Sequence, residues 1–126
     1  MKGQELADRI VRYVLDRKGR DITIMDLRGI TSITDYFIIC TVESSAQAKA
    51  ITEHVAEQLD RDQIRPWHIE GTQASQWVLI DFVDVVVHIF QPETRAFYNL
   101  EKLWGDAKFI DVKDSDETSD LRAHSS

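Results

Sequence analysis

Two acidic residues, Asp81 and Asp84, stand three positions apart between long apolar runs and form the best candidate pair for metal-assisted catalysis. Convergent carboxylates can hold a divalent cation that polarises a phosphoryl group or activates a water molecule. Such sites usually also contain a glycine-rich loop or a helix N-terminus that binds the phosphate. The five glycines, at positions 3, 19, 29, 71 and 105, are scattered along the chain. The pattern therefore favours two acids that solvate a turn, and it predicts neither a metal nor a cofactor.

Cys40 is the single cysteine of the chain and would be a nucleophile if a histidine lay beside it. It lies at the end of a nearly continuous apolar run that begins at Tyr36, which is typical of a buried structural thiol. The four histidines, at positions 54, 68, 88 and 124, lack the short ligand spacings of a zinc site. The sequence does not require an enzyme, and a binding protein is the preferred interpretation.

Residues 77–90 contain two runs of β-forming residues with almost nothing between them, which predicts a β-hairpin. A two-residue turn at Phe82 and Val83 would place three residues of the first strand opposite three of the second. The predicted pairs are Asp81 with Asp84, Leu79 with Val86, and Trp77 with His88. Because side chains alternate along a strand, these six share one face of the hairpin. The opposite face is entirely aliphatic and is predicted to be core: Val78, Ile80, Val85, Val87 and Ile89.

The face that carries Trp77 and His88 has two interpretations. A helix could cover it, with His88 hydrogen-bonded inside and Trp77 filling space, because large apolar residues are usually buried. Alternatively it is a partly exposed apolar patch with a polar rim, as protein-binding sites are, and tryptophan is enriched in interface hot spots.

The predicted turn contains two local conflicts. A type I′ turn requires positive φ at both central residues, and the β-branched Val83 resists that conformation. Asp81 opposite Asp84 would add repulsion between like charges. A longer or bulged turn would relieve both conflicts and leave the alternation of faces unchanged.

The elements that would position these residues follow the order αββαβββα. The pattern predicts a single α/β domain, with a mixed five-stranded sheet flanked by helices. Ser44 and Gln47 have the spacing of a capping box at the start of the second helix. Pro92 suits the first turn of the last helix, whose buried side is predicted to be Phe97, Leu100 and Trp104. Glu101 and Lys102 are assigned to the solvent side of that helix.

Composition and charge narrow the classes of function. A chain of 126 residues has room for one core, and its acidic stretch 111–126 is predicted to be a disordered tail after a domain at 1–110. The net charge of −7 disfavours direct DNA or RNA binding but suits a basic protein partner. There is no apolar run of roughly 20 residues that would span a membrane, and no apolar signal stretch at the N-terminus. The expectation is a cytoplasmic protein.

Three segments resemble the signatures of one family. Residues 31–39 are similar to S-S-I-x-D-Y-F-V-I, residues 77–90 to W-x-L-x-D-x-G-D-V-V-V-H-x-F, and residues 95–104 to R-x-x-Y-x-L-E-x-L-W. Together, in this order and spacing, they resemble the bacterial ribosomal silencing factor, or Iojap, family. Two departures stand out: Val83 replaces the usual glycine, and residues 41–44 differ from the usual T-G-N-S.

The resemblance implies a nucleotidyltransferase-like fold without that superfamily's catalytic motif. It also implies a translational repressor that binds ribosomal protein fourteen of the large subunit, blocks joining of the small subunit when nutrients run short, and can form a homodimer. On this basis Trp77 and Leu79 are the expected apolar anchors, and Asp81 and Asp84 the contacts to basic groups. The expected polar contacts or supports are His88, Arg95 and Tyr98. Two alternatives remain open: a metal-dependent nucleotidyltransferase-like enzyme that uses Asp81 and Asp84, and a dimeric scaffold whose Trp77 face serves self-association.

Overall fold

The computed structural model describes residues 3–71 and 76–112 of the chain. It contains four helices and six strands within these ranges. In chain order these are α1 (Gly3–Asp16), β1 (Arg20–Asp26), β2 (Tyr36–Thr41), α2 (Ser45–Asp60), β3 (His68–Glu70), β4 (Trp77–Asp81), β5 (Val85–Phe90), α3 (Pro92–Tyr98), α4 (Leu100–Leu103) and β6 (Lys108–Asp111). None of the helices in these ranges is both long and apolar enough to cross a bilayer.

The strands form one mixed sheet in the order β3-β4-β5-β2-β1-β6. β2 and β5 pair in parallel at its centre, and the other neighbours pair antiparallel. The single-domain mixed α/β fold is confirmed, with six strands instead of the five expected. The additional strand, β6, has four residues, two of them charged, and pairs with β1 at the sheet edge.

The main core lies between α1, α2 and one face of the sheet. Ile10, Val14, Ile51 and Val55 supply the helical side, and the aliphatic face of the β4–β5 hairpin supplies the other. Cys40 is buried in this core, and burial raises the pKa of its thiol to about 12, as expected of a structural cysteine. The sheet's other face carries a smaller cluster that α4 partly covers.

The N-cap predicted at Ser44 is confirmed, but the side chain of Gln47 bonds to Glu43 instead of closing the capping box on Ser44. The Ser44 hydroxyl accepts from the backbone N–H of Gln47 (3.1 Å), and Gln47 Oε1 accepts from the N–H of Glu43 (2.8 Å). The amide nitrogen of the same Gln47 side chain donates to the carbonyls of Arg17 and Lys18, at the end of α1. One glutamine therefore joins the start of α2 to the turn between α1 and β1.

The predicted register of the hairpin is wrong by two residues. Val83 and Asp84 form the turn, because Phe82 N–H donates to the carbonyl of Val85 (2.8 Å). Every pair moves accordingly, so the cross-strand pairs are Asp81 with Val86, Leu79 with His88, and Trp77 with Phe90. A shift of two preserves the alternation of side chains, and the aliphatic face is core, as predicted.

The turn accommodates Val83 in an unusual conformation. Its φ is 76°, and Asp84 N–H donates to the carbonyl of Phe82 (3.0 Å), the pattern of a γ-turn with positive central φ, which is rare and strained. The glycine that the family pattern places here would adopt this φ without steric cost.

The last helix is interrupted, which makes one prediction wrong. Asn99 adopts a left-handed conformation (φ 45°) between α3 and α4, so the expected apolar stripe does not continue through one helix. Leu100 is buried and Trp104 is half-buried, as expected, but Phe97 is 80% exposed. Asp111, assigned to the tail from the sequence, ends β6; residues 113–126 of the predicted tail lie outside the described residues.

Candidate protein-binding face

The open face of the sheet is the face opposite α1 and α2. On β4 it carries Trp77, Leu79 and Asp81, all half-buried, while the alternate residues Val78 and Ile80 are buried in the main core. The predicted alternation therefore brings these three site residues onto one surface. α3 and α4 leave this part of the sheet only partly covered.

Trp77 is held in place by its neighbours. Its indole N–H donates to Nδ1 of His88 (3.1 Å), and its ring lies 4.6 Å from the ring of Tyr98 and 4.9 Å from that of Phe90, between centroids. Offset aromatic contacts at these distances are favourable beyond the area they bury. Trp77 is thus a preorganised, half-exposed aromatic side chain.

Gly71 limits how the backbone of Trp77 can move. A Cβ at position 71 would lie 2.0 Å from the carbonyl oxygen of Trp77, and the φ of Gly71 is +84°. Both the close approach and the positive φ require glycine here.

His88 is buried beneath the open face and contacts Trp77. It is 3% exposed, and its burial lowers its pKa to about 4, so the imidazole is neutral at neutral pH. Because Nδ1 accepts the indole hydrogen bond, the ring proton is on Nε2, which has no hydrogen-bond partner among the described residues. The Phe37 ring packs edge-on at 4.5 Å. His88 therefore orients Trp77 and does not reach the surface itself.

Arg95 anchors the covering helices to the sheet. Its guanidinium donates to the Thr41 hydroxyl (2.9 Å), the Asp21 carbonyl and a carboxylate oxygen of Glu101 (2.8 Å). Both ends of the Arg95–Glu101 pair are largely buried, which corrects the assignment of Glu101 to the solvent side. Sequence reasoning missed this pair because the two residues are six apart across a helix break, outside the usual helical spacings.

Tyr98 completes the exposed part of the site. It is about half exposed and shares its ring contact with Trp77, so the two aromatic residues form one surface. Leu79 lies on the same strand, two residues from Trp77. The anchors expected from the sequence are therefore adjacent, and a residue from α3 extends them.

In the corrected register the two acids no longer face each other across the hairpin. Asp81 faces Val86, and its Oδ1 accepts from the N–H of Val83 (2.7 Å). Asp84 lies exposed in the turn. Within residues 3–71 and 76–112 no three His, Cys, Asp or Glu side chains are grouped as metal ligands. A cleft of about 560 Å³ lies elsewhere, with two acids and two bases among its lining residues: Asp26, Arg28, Gly29, Ile30, Asp106 and Lys108.

Comparison with known proteins places this geometry in a family. A family model described as "Ribosomal silencing factor during starvation" matches residues 1–126. Ribosomal silencing factor RsfS of Bacillus subtilis is 43% identical over 97 residues, which are 77% of this chain and 82% of that protein. The mouse protein named "Mitochondrial assembly of ribosomal large subunit protein 1" is 33% identical over 107 residues, 82% of this chain and 47% of that protein.

The fold is also similar to a solved structure. A crystal structure of a Chromobacterium violaceum protein superposes with a TM-score of 0.80 at 35% sequence identity, covering 83% of this chain and 88% of that chain.

Proposed function

The chain belongs to the ribosomal silencing factor family, and we propose that it regulates translation by binding the large ribosomal subunit. In this proposal the open face binds ribosomal protein fourteen of the large subunit and sterically blocks joining of the small subunit, which lowers translation when nutrients are limiting. The action takes place in the cytoplasm. The name of the mouse relative, which refers to the large ribosomal subunit, supports the choice of subunit.

The observation that carries the proposal is the fixed Trp77–Tyr98 pair on a partly uncovered sheet. Aromatic residues that are already ordered lose little conformational entropy on binding, so they favour a protein interface. The indole hydrogen bond to His88 and the 4.6 Å ring contact with Tyr98 supply that order. Leu79 extends the apolar area along β4.

Charge supports the kind of partner. Asp81 and Asp84 lie at the end of the open face, and the whole chain carries a net charge of −7. Complementary charge raises the rate of encounter with a basic ribosomal protein and helps fix its orientation. We therefore assign Trp77, Leu79, Asp81, Asp84 and Tyr98 to direct contact. His88 and Arg95 are positioning residues.

Two observations support a role without catalysis. In the corrected register Asp81 faces Val86 instead of Asp84, and the Asp81 carboxylate accepts a hydrogen bond from the turn backbone. We expect no nucleotide transfer by the purified chain with magnesium or manganese. Metal-dependent turnover that is lost in both Asp81→Asn and Asp84→Asn would instead support a nucleotidyltransferase-like enzyme.

Sedimentation with purified ribosomal subunits tests the proposal. The chain should sediment with large subunits and not with small ones, and an excess of it should lower the yield of joined ribosomes. Trp77→Ala should weaken this binding about thirtyfold, the effect of removing a hot-spot residue worth about 2 kcal/mol.

The matched control is Trp67→Ala, because Trp67 is exposed and lies outside the open face of β4. This variant should bind large subunits like the unaltered chain. Equal binding to both subunits, or equal losses in the two tryptophan variants, would contradict the proposed mode of action.

The homodimer implied by the family resemblance is a separate part of the proposal. Sedimentation velocity of the chain alone over a range of concentrations tests it. A single monomeric species at all concentrations would contradict the homodimer. It would not affect the assignment of the open face.

A further inference from the structure

Four exposed apolar side chains lie along one end of the sheet, away from the Trp77–Tyr98 pair. Ile30 and Ile33 belong to the β1–β2 loop, Trp67 precedes β3, and Val83 forms the β4–β5 turn. Ile33 and Trp67 are each 76% exposed. We call these four residues the turn-end rim. Large apolar side chains that share a surface in this way mark an interaction site more often than scattered ones do.

Backbone hydrogen bonds hold the rim together. Trp67 N–H donates to the Asp81 carbonyl (2.8 Å), so Trp67 lies beside the start of the β4–β5 turn. On the other side of that turn, the Asp84 carbonyl accepts from the N–H groups of Asp35 and Tyr36, both at 3.1 Å. The rim crosses the ends of β3, β4, β5, β2 and β1 in that order, and neighbouring strands are about 4.8 Å apart, so it is roughly 20 Å long.

The polar groups between these apolar residues are acidic. Asp84 is exposed and Asp35 half-exposed, and neither forms a salt bridge or side-chain hydrogen bond with another described residue. Asp81 adds a third carboxylate at the same end. Arg28, in the β1–β2 loop, is paired with Asp26 (2.8 Å) and also attracts the Asp35 carboxylate electrostatically, which leaves an excess of acids over bases at this end. The rim is therefore negative as well as apolar.

The loop behind the rim also has an unused hydrogen-bonding group. Thr34, between Ile33 and Asp35, is 4% exposed, and its hydroxyl has no hydrogen-bond partner among the described residues. Buried polar groups are normally paired, so this loop is not fully satisfied by its own neighbours.

We propose that the turn-end rim is a second binding surface, and that it binds an extended basic polypeptide segment that carries lysine or arginine together with aliphatic residues on one face. A strand rises about 3.3 Å per residue, so about six residues span the rim. Because every second side chain of an extended segment lies on the same face, that face would place aliphatic side chains beside the apolar residues of the rim and cations beside its acids. A nucleic acid or a second copy of the rim would be repelled by the unpaired carboxylates.

A designed peptide in which lysine and valine occupy every second position in turn, with serine between them, tests the proposal when it is titrated into the full ¹⁵N-labelled chain. The amide signals of Ile30, Ile33 and Val83 and the indole signal of Trp67 should shift, while that of the Trp77 indole should not. Ile33→Ser should weaken binding about tenfold or more, because Ile33 is an exposed apolar contact outside the core. Asp84→Asn should weaken it less, and the loss should diminish at high salt.

Phe97→Ser is the matched control, because Phe97 is as exposed as Ile33 but lies on α3. It should leave peptide binding unchanged. Absence of binding, equal binding of a glutamate–valine peptide, or equal losses in the Ile33 and Phe97 variants would each overturn the proposal. Rim shifts that depend on the concentration of the chain alone would show that the occupant is a second copy, which also overturns it.

The inference does not rest on the proposed ribosomal function, although Asp81 and Asp84 would take part in both surfaces. The Ile33→Ser chain should still sediment with large ribosomal subunits, whereas Trp77→Ala should lose that binding and retain the peptide. The two proposals can therefore fail separately.

Discussion

The two faces of β4 carry residues that are neighbours in sequence but differ in what covers them. Val78 and Ile80 are buried beneath α1 and α2, whereas Trp77, Leu79 and Asp81 lie half-buried beside two short helices. The long helices complete one face, and α3 and α4 leave the other incomplete. In the proposed function, this single strand contributes to stability through one set of side chains and to recognition through the alternate set.

Replacement of a core residue should give the largest effect. Ile80→Ala should lower the free energy of unfolding by about 2–5 kcal/mol, because it removes buried methyl groups and leaves a cavity. Leu79→Ala, one position away on the half-buried face, should cost clearly less. Urea unfolding of both variants measures the difference, and equal losses would mean that the two faces are equally part of the core.

The effect of acid on stability should show whether His88, beneath the open face, is buried in the folded chain. The pKa of His88 is lowered by burial from 6.5 to about 4, so between these pH values the unfolded chain binds a proton that the folded chain does not. Stability should therefore fall as the pH drops from 6.5 towards 4, by about 1.4 kcal/mol per pH unit and about 3 kcal/mol in total.

The measurement is the pH dependence of unfolding in urea, compared between the unaltered chain and His88→Gln. The glutamine variant should lack the part of the slope that His88 contributes, although its acidic residues still titrate. An unchanged slope would show that His88 is accessible to water in the folded chain.

Replacement of two adjacent aromatic residues of α3 tests whether the open face binds the large ribosomal subunit. Tyr98 contacts the Trp77 ring, whereas Phe97 is more exposed and was wrongly expected to be buried. Tyr98→Ala should weaken binding to large ribosomal subunits about tenfold, or about 1.4 kcal/mol. Phe97→Ala should change it less than threefold. A larger loss for Phe97 would move the binding surface away from β4.

The smallest expected effect concerns the turn that joins β4 to β5. Val83→Gly should raise the free energy of unfolding by about 1 kcal/mol, because a φ of 76° is strained for valine and not for glycine. Val83→Ala keeps a Cβ at the same φ and should recover less of this strain. Thermal melts of the two variants compare them, and a loss of stability in the glycine variant would show that the turn is not strained.

The sequence predicted well those features that depend on periodicity. The alternation along β4 and β5 and the N-cap of α2 are local patterns, and the structure confirms them. The register of the hairpin was wrong because it depends on which two residues turn, and the carboxylate of Asp81 stabilises the turn at Val83. A side chain that binds its own backbone two residues later is not visible in a hydrophobic pattern.

The errors in the last third of the chain have a similar cause. A left-handed Asn99 divides the expected helix, which exposes Phe97 and brings Glu101 to Arg95. β6 is short and half charged, so its strand character comes from pairing with β1 and not from its composition. The helix break depends on the backbone conformation of one residue, and β6 depends on tertiary pairing. Neither can be inferred from the helix and strand propensities of the sequence.

The parallel pairing of β2 with β5 at the centre of the sheet has a consequence for the synthesis of the protein itself. Residues 42–84 lie between the two strands, so β2 leaves the ribosome long before its central neighbour. At translation rates of about 5–20 residues per second, β2 has no partner on that side for roughly 2–9 s. During this time the nascent chain has an apolar, unpaired strand edge, which other chains could pair with.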